Sequence, residues 1–279
     1  MGDLKIAVML HSLRLPTEEG LRMIADMGVP GVHLFPMGEW ASLIVDAAGR
    51  REILRTVRSF GLELSALVGW GGEVDLGNPE GQAEAAAKAH AALEWAVELG
   101  CGIWMAHVGV MPMDTASERW ERFRDALGQI ARYGEKIGGV LAAETGPEPP
   151  FLLRQMLDEI GSSGIGINYD PANLILWPPG LAERSGKPYR REAAIELFQP
   201  NEGPLVLGGR IVHTHAKDAL VREDGQCQEV PLGEGWVDWP RYVANLESIG
   251  YRGYFAIERE VGEDPVGDIR RAVEFLRTL

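Results

Sequence analysis

The stretch IGINYD, residues 165–170, alternates without a break: Ile165, Ile167 and Tyr169 share one face, and Gly166, Asn168 and Asp170 share the other. Successive side chains of a strand point to opposite faces, so this segment reads as a strand with an apolar face suited to lie under helices. Its second row is small or polar and ends in a carboxylate. Seven more short runs flank it: LKIAVML (4–10), GVHLFPM (31–37), LELSALVGW (62–70), GIWMAHVGV (102–110), VLAAETG (140–146), RIVHTHAKD (210–218) and GYFAIERE (253–260), with the sixth extending as IGINYDPANL to 174. Amphipathic helical patterns separate them. In PTEEGLRMIADMG (16–28) proline and acids open the helix and glycine closes it, and similar stops recur at Gly61, Gly100, Gly138, Gly161 and Gly250. The longest pattern runs from about Pro79 to Leu99.

Strand then helix, repeated eight times, predicts an α/β fold of the (β/α)8 TIM barrel type, with residues 1–279 forming one barrel domain. An open doubly wound sheet normally carries a glycine fingerprint after its first strand, and VMLHSLRLP (8–16) contains no glycine. Two connections are longer than the rest: Trp177 to Gly209, rich in Pro and Gly, and Val221 to Trp236, which reads as a hairpin-like excursion. In a barrel both rise from the catalytic rim.

Composition narrows the partners. Lys and Arg number 27 against 41 Asp and Glu, a formal charge of −14, and such a field repels phosphate backbones. Nucleic acid is therefore not expected as a partner. Cys101 and Cys227 are the only cysteines and form no CxxC pattern, which speaks against thiolate metal sites and for a reducing compartment. No segment reaches the roughly 18 apolar residues of a membrane span, and the first residues show no small-residue cleavage site. A cytoplasmic chain without membrane contact is the expectation.

Barrel chemistry collects at the C-terminal strand ends. Strand six places Asp170 there. The same count in YFAIERE (254–260) sends Phe255 and Ile257 outward and Ala256, Glu258 and Glu260 inward, with Glu258 at the mouth. Alanines blur the alternation of VLAAETG, but Glu144 closes that strand ahead of the helix-breaking TGPEPP (145–150). In GRIVHTHAKDAL (209–220) His213 and His215 share a face, and His215 lies one layer nearer the rim. Four successive strands thus offer Glu144, Asp170, His215 and Glu258 around one mouth. Three carboxylates crowded without a cation repel, and at least one would have its pKa driven up. A divalent ion removes the conflict. One imidazole with three carboxylates is a hard, oxygen-dominated set suited to Mn²⁺ or Mg²⁺, with Co²⁺ or Zn²⁺ also accommodated. The deeper His213 reads as a hydrogen-bonded core residue or a support for the ligands.

These residues also carry a resemblance. LAAETGPEP (141–149), INYDPANLIL (167–176), VHTHAKDA (212–219), VPLGEGWVDW (230–239) and GYFAIERE (253–260) resemble the sugar phosphate isomerase/epimerase family, the xylose isomerase-like barrels that include the ketose 3-epimerases. The resemblance implies Glu144, Asp170, His215 and Glu258 as ligands of one divalent metal, and Glu144 and Glu258 as catalytic acid and base moving a proton beside a sugar carbonyl. Asn173 stands where those epimerases have a histidine, and Val221 where they have an arginine, with Arg222 one step away. Around the metal, His107 at the end of strand four and Asn173 are assigned substrate contacts. Trp70, in VGWGG (68–72), is assigned an apolar wall against the sugar. Lys217 either touches a substrate oxygen or pairs with Asp218. His11 and His33 are placed near the cavity, His33 as a packed residue, and Asp238 as a helix N-cap. The leading expectation is a metal-dependent sugar or sugar phosphate isomerase or epimerase with a small-molecule sugar substrate, forming a homodimer or homotetramer as relatives do. The alternatives are a dehydratase or lyase on a keto-sugar or keto-inositol using the same site, and a non-catalytic sugar-binding barrel. An apurinic endonuclease would need more strand-end histidines than six in all, and a basic groove.

Overall fold

The inward and outward rows of these strands close on themselves. In the computed structural model, which describes residues 4–69 and 75–279, strands and helices alternate along the chain in the order β1 (Lys5–Met9), α1 (Thr17–Asp26), β2 (Gly31–Leu34), α2 (Glu39–Leu43), α3 (Ala47–Ser59), β3 (Glu63–Val68), α4 (Gln82–Glu98), β4 (Ile103–Ala106), α5 (Glu118–Ile137), β5 (Val140–Glu144), α6 (Pro150–Ile160) and β6 (Ile165–Tyr169). There follow α7 (Asn173–Arg184), α8 (Arg191–Phe198), α9 (Gly203–Leu207), β7 (Ile211–Ala216), the hairpin β8 (Asp218–Val221) and β9 (Cys227–Val230), α10 (Trp239–Ser248), β10 (Tyr254–Ile257) and α11 (Pro265–Leu276). The barrel is closed in the order β1-β10-β7-β6-β5-β4-β3-β2, every neighbouring pair parallel. The expected (β/α)8 fold is present.

Apolar rows on the outer faces of the strands meet the helices in one continuous core, in which Trp104, Trp120, Trp239, Tyr169 and Tyr242 are among the largest fully buried side chains. Tyr169 faces outward as the alternation requires, and its hydroxyl donates to the carbonyls of Gln199 and Pro200. Inside the barrel a smaller plug forms from Met9, Val68, Ile103, Met105, Ala142 and Val212. Val212 reaches that plug through a bulge: Ile167 pairs with Ile211, but Asn168 pairs with His213, so β7 carries one extra residue. The bulge lets Val212 fill the interior while His213 and His215 still point to the axis. Tight exits between layers rest on left-handed glycines, such as Gly138 (φ 77°) after α5 and Gly161 (φ 64°) after α6, a conformation a Cβ would strain.

Strands stop earlier than their runs suggest, among them at Leu34 rather than residue 37, at Ala106 rather than 110, and at Tyr169 rather than 174. Pro36, Gly109 (φ 96°) and Pro171 lie just beyond, and none continues a parallel ladder. The surplus residues turn outward and build the mouth. The segment after Trp177 also differs, because α7 runs through Pro178 and Pro179 and the connection to β7 is largely helical. The excursion after strand seven is the hairpin β8–β9, with Asp218 opposite Val230. Asp218 pins it. Its carboxylate accepts the backbone N–H groups of Ala219, Gly233, Gly235 and Val237 and the indole N–H of Trp239, so it ties the returning loop to the end of β7. Asp238 caps α10 as read, its side chain accepting from the Arg241 N–H. Among the described residues no helix is long and apolar enough to cross a membrane.

Candidate metal centre

The C-terminal ends of β5, β6, β7 and β10 deliver Glu144, Asp170, His215 and Glu258 to one point. One ligand atom from each lies within 4.8 Å of the others. Hydrogen bonds between rims set these ends. Thr145 Oγ1 donates to the Asp170 carbonyl (2.9 Å) and accepts the Asp170 N–H (2.7 Å), which locks β5 against β6. The Glu258 N–H donates to the Ala216 carbonyl (3.2 Å), and the Arg259 N–H donates to Ser12 Oγ (3.1 Å) across the closure of the barrel.

His215 Nδ1 stands at the centre. It lies 2.9 Å from Glu144 Oε1, 3.2 Å from Glu258 Oε2 and 3.9 Å from Asp170 Oδ2. The two near carboxylates lie off the line of a hydrogen bond, so His215 Nδ1 and Asp170 Oδ2 are buried polar atoms without a hydrogen-bond partner among the described residues. Two orphaned atoms that can each present a lone pair to one point are what a shared ion satisfies. An octahedral ion with ligands at about 2.1 Å holds opposite ligand atoms about 4.2 Å apart, close to the spread seen here. The residues fit a hard divalent metal. Asp170 Oδ1 is directed away and accepts the N–H groups of Ala172 (2.8 Å) and Asn173 (3.3 Å), which orients the carboxylate and caps α7.

Glu144 and Glu258 are not driven up in pKa, as crowding alone would require. Burial pushes Glu144 and Glu258 upward, but the charges of His215 and His107 beside Glu144, and of Lys217 and His215 beside Glu258, outweigh it and hold both carboxyls below their usual range. Burial likewise opposes a proton on His215, yet Glu258 and Glu144 hold its pKa well above the imidazole range. The protein supplies its own cations. Lys217 is the second of them, 3.0 Å from Glu258 Oε2, 3.8 Å from Asp170 Oδ2 and hydrogen-bonded to Glu260. It does not pair with Asp218, whose carboxylate is consumed by the hairpin.

Behind His215 lies His33, fully buried. His33 Nδ1 is 3.3 Å from His215 Nε2. Burial and then the neighbouring His213 hold the His33 ring well below the imidazole range, so it is neutral and able to accept. An ion on His215 Nδ1 requires the ring proton on Nε2, where His33 receives it. His33 was read as packed; this supporting contact had no signal in its strand, GVHL. His213 sits deeper as expected, its Nδ1 2.8 Å from Asn168 Oδ1 and its Nε2 3.3 Å from Ser65 Oγ.

Above the four residues opens a cleft of about 380 Å³. Leu176 and Trp177 form its apolar side, and His107, Asn173, Lys217 and Glu260 surround Glu144 and Glu258. His107 is exposed at the mouth with Nε2 2.9 Å from Glu144 Oε2, and the Glu144 charge and hydrogen bond push its pKa up to about 9. Asn173 Nδ2 donates to the Thr145 carbonyl (3.0 Å) and approaches Glu144 Oε1 (3.5 Å). Trp70, assigned to the sugar wall, lies outside the described residues; Trp177 occupies such a position. His11 also faces this region: its pKa is lowered by burial against the pull of Glu258 and Glu260. Glu148 is a further buried acid that TGPEPP concealed. Glu148 Oε1 accepts the Met111 N–H (2.8 Å), joining the loops after β4 and β5, and burial pushes its carboxyl up to about 7.

A closed parallel barrel with a carboxylate–imidazole cluster at its C-terminal mouth defines a class of small-molecule metal sites. This chain belongs to the xylose isomerase-like TIM barrel family, whose model matches residues 21–279. A curated relative from Shigella dysenteriae, called a putative L-ribulose-5-phosphate 3-epimerase UlaE, is 26% identical over 195 residues, 67% of this chain and 60% of the relative. The chain thus spans about 60% of the length of the curated relatives it matches. The crystal structure of a xylose isomerase domain protein from Planctomyces limnophilus superimposes with a TM-score of 0.79 at 24% identity, covering 99% of this chain and 97% of that one. A xylose isomerase-like TIM barrel protein from Mycobacterium smegmatis, solved in complex with magnesium, gives 0.70 at 16% identity, covering 100% and 98%.

Two outcomes test this geometry. His33→Leu, which cannot receive the His215 proton, is expected to weaken manganese binding by roughly 10- to 100-fold in a titration of the folded variant, and unchanged affinity would contradict the contact. Glu148→Gln probes the raised carboxyl. A folded-state pKa raised above the unfolded value near 4.5 means the stability present below 4.5 is lost as pH rises through about 7. The Gln variant should therefore gain on the parent by roughly 3 kcal/mol between pH 4.5 and 8 in denaturant unfolding, whereas a pH-independent difference would refute it.

Proposed function

We propose that this protein is a divalent-metal-dependent sugar isomerase or epimerase that moves a proton beside a carbonyl. The observation that carries the reading is the convergence of Glu144 from β5 and Glu258 from β10 on His215 Nδ1, both also lining an open cleft. Glu144, Asp170, His215 and Glu258 would hold the ion, with Mn²⁺ or Mg²⁺ matching the donor set and the magnesium complex of the M. smegmatis relative supporting it. When bound, such an ion supplies polarisation of a carbonyl and its neighbouring hydroxyl, which acidifies the C–H between them.

The side chains supply the rest. Glu258, held ionised by Lys217, takes the proton from one face of the substrate carbon. Glu144 returns a proton from the other face to the resulting enediolate, drawing it from His107, which is in contact with Glu144 and open to solvent. Return to the opposite face inverts the carbon, whereas return to the neighbouring carbon isomerises the sugar. Asn173 and Trp177 fix the substrate between them. The epimerase name of the S. dysenteriae relative supports this chemistry over sugar binding alone.

With manganese-loaded protein in heavy water, deuterium should enter the carbon beside the carbonyl of a ketose whose skeleton stays intact. Glu258→Gln should lose that exchange by at least about 100-fold while still binding the ketose. Full exchange by the variant would contradict the assignment. Release of water in place of exchange would show elimination at the same site.

A further inference from the structure

We propose that the substrate of this site is an uncharged polyol, without phosphate or carboxylate; the inference rests on the sugar chemistry proposed above and narrows its substrate class. The charges at the mouth carry it. The three ligand carboxylates and Glu260 bring four negative charges, against which a divalent ion and Lys217 bring three positive ones. His107 raises the sum at most to zero. Lys217 is the only lysine or arginine among the described residues that line the cleft, and it is already bound by Glu258 and Glu260. Residues 70–74, WGGEV, contain no lysine or arginine.

The usual devices for a phosphate are filled or absent. Barrels commonly seat phosphate on the loops after strands seven and eight and on a nearby helix N-terminus, where free N–H groups face the anion. After strand eight, Arg259 is turned away into a buried pair with Glu229 and Asp268, and the loop continues with Glu260, Glu263 and Asp264. Asp264 caps α11 and Asp238 caps α10. At α7 the amides of Ala172 and Asn173 are taken by Asp170, and at α6 Pro149 and Pro150 carry no N–H while those of Leu152 and Leu153 turn to the Pro149 carbonyl. Arg14 is committed to the carbonyls of Glu260 and Gly262. Arg184 lies over the Trp177 ring, 5.7 Å from its centroid, and does not itself line the cleft. A phosphate dianion would enter a site of zero or negative charge with no lysine or arginine of its lining free to meet it, whereas hydroxyls find acceptors in Glu260 and Glu144.

The test uses full-length protein loaded with manganese and two panels, free pentuloses and hexuloses and their terminal phosphate monoesters. Calorimetric titration measures binding, and deuterium uptake from heavy water measures chemistry. At least one free ketose should bind, and the best should surpass the best phosphate ester by about 100-fold in kcat/KM for exchange and at least about tenfold in affinity. Glu260→Lys, which makes the mouth positive, should narrow the affinity preference at least about tenfold. A phosphate ester that binds more tightly, a preference unmoved in Glu260→Lys, or no binding by any free ketose would each overturn the inference. If nothing exchanges deuterium, the proton-transfer reading fails by itself, and the titration still decides the substrate class.

Discussion

Everything at the mouth of this barrel follows from packing three carboxylates around one buried imidazole nitrogen. Glu144, Asp170 and Glu258 are too close to share a low-dielectric pit without positive charge. In the protein alone that charge is a proton on His215 and the ammonium of Lys217, and the carboxyls of Glu144 and Glu258 fall rather than rise in pKa. A metal ion bound at His215 Nδ1 must displace that proton, so ion and proton compete for one place. Lys217 stays in either state, keeping Glu258 charged.

The barrel exists, in functional terms, to hold those four ends still. Each comes from a different strand, and each strand is fixed by its neighbours rather than by the site. The Thr145 hydroxyl couples β5 to β6, the Asp170 carboxylate starts α7, and Asp218 anchors the hairpin that begins three residues after His215. Glu229, from that hairpin, accepts the Glu260 N–H and pairs with Arg259, which sets the backbone on the far side of Glu258. The polar layer of His33, Ser65, Asn168 and His213 then separates the charged mouth from the apolar plug below, so His215 rests on hydrogen-bonding groups rather than on methyls.

Much of this was legible in the sequence because a period of two is a strong signal where apolar and polar residues alternate cleanly. IGINYD and YFAIERE fixed which side chains face the axis, and strand position then selected Asp170 and Glu258. Other features escape such counting. The bulge at Val212 resets the phase of β7 within one residue, and nothing in RIVHTHAKD marks it. The connection from Trp177 to Gly209 is marked in sequence only as long and rich in Pro and Gly, yet tertiary packing carries α7 through Pro178 and Pro179 and places Trp177 on the cleft wall. Lys217 and Asp218 are adjacent in sequence but point to opposite faces, so their apparent pairing dissolves into two separate networks. The role of His33 depends on a neighbour 182 residues away.

The central claim is that one divalent cation completes the cluster, and it is read most directly by counting that ion. Manganese titrated into metal-free protein and followed by the paramagnetic signal of the free ion should saturate at about one per chain, and Asp170→Asn should weaken it by about 100-fold. Absence of saturable binding, or equal affinity in the parent and Asp170→Asn, would contradict the account.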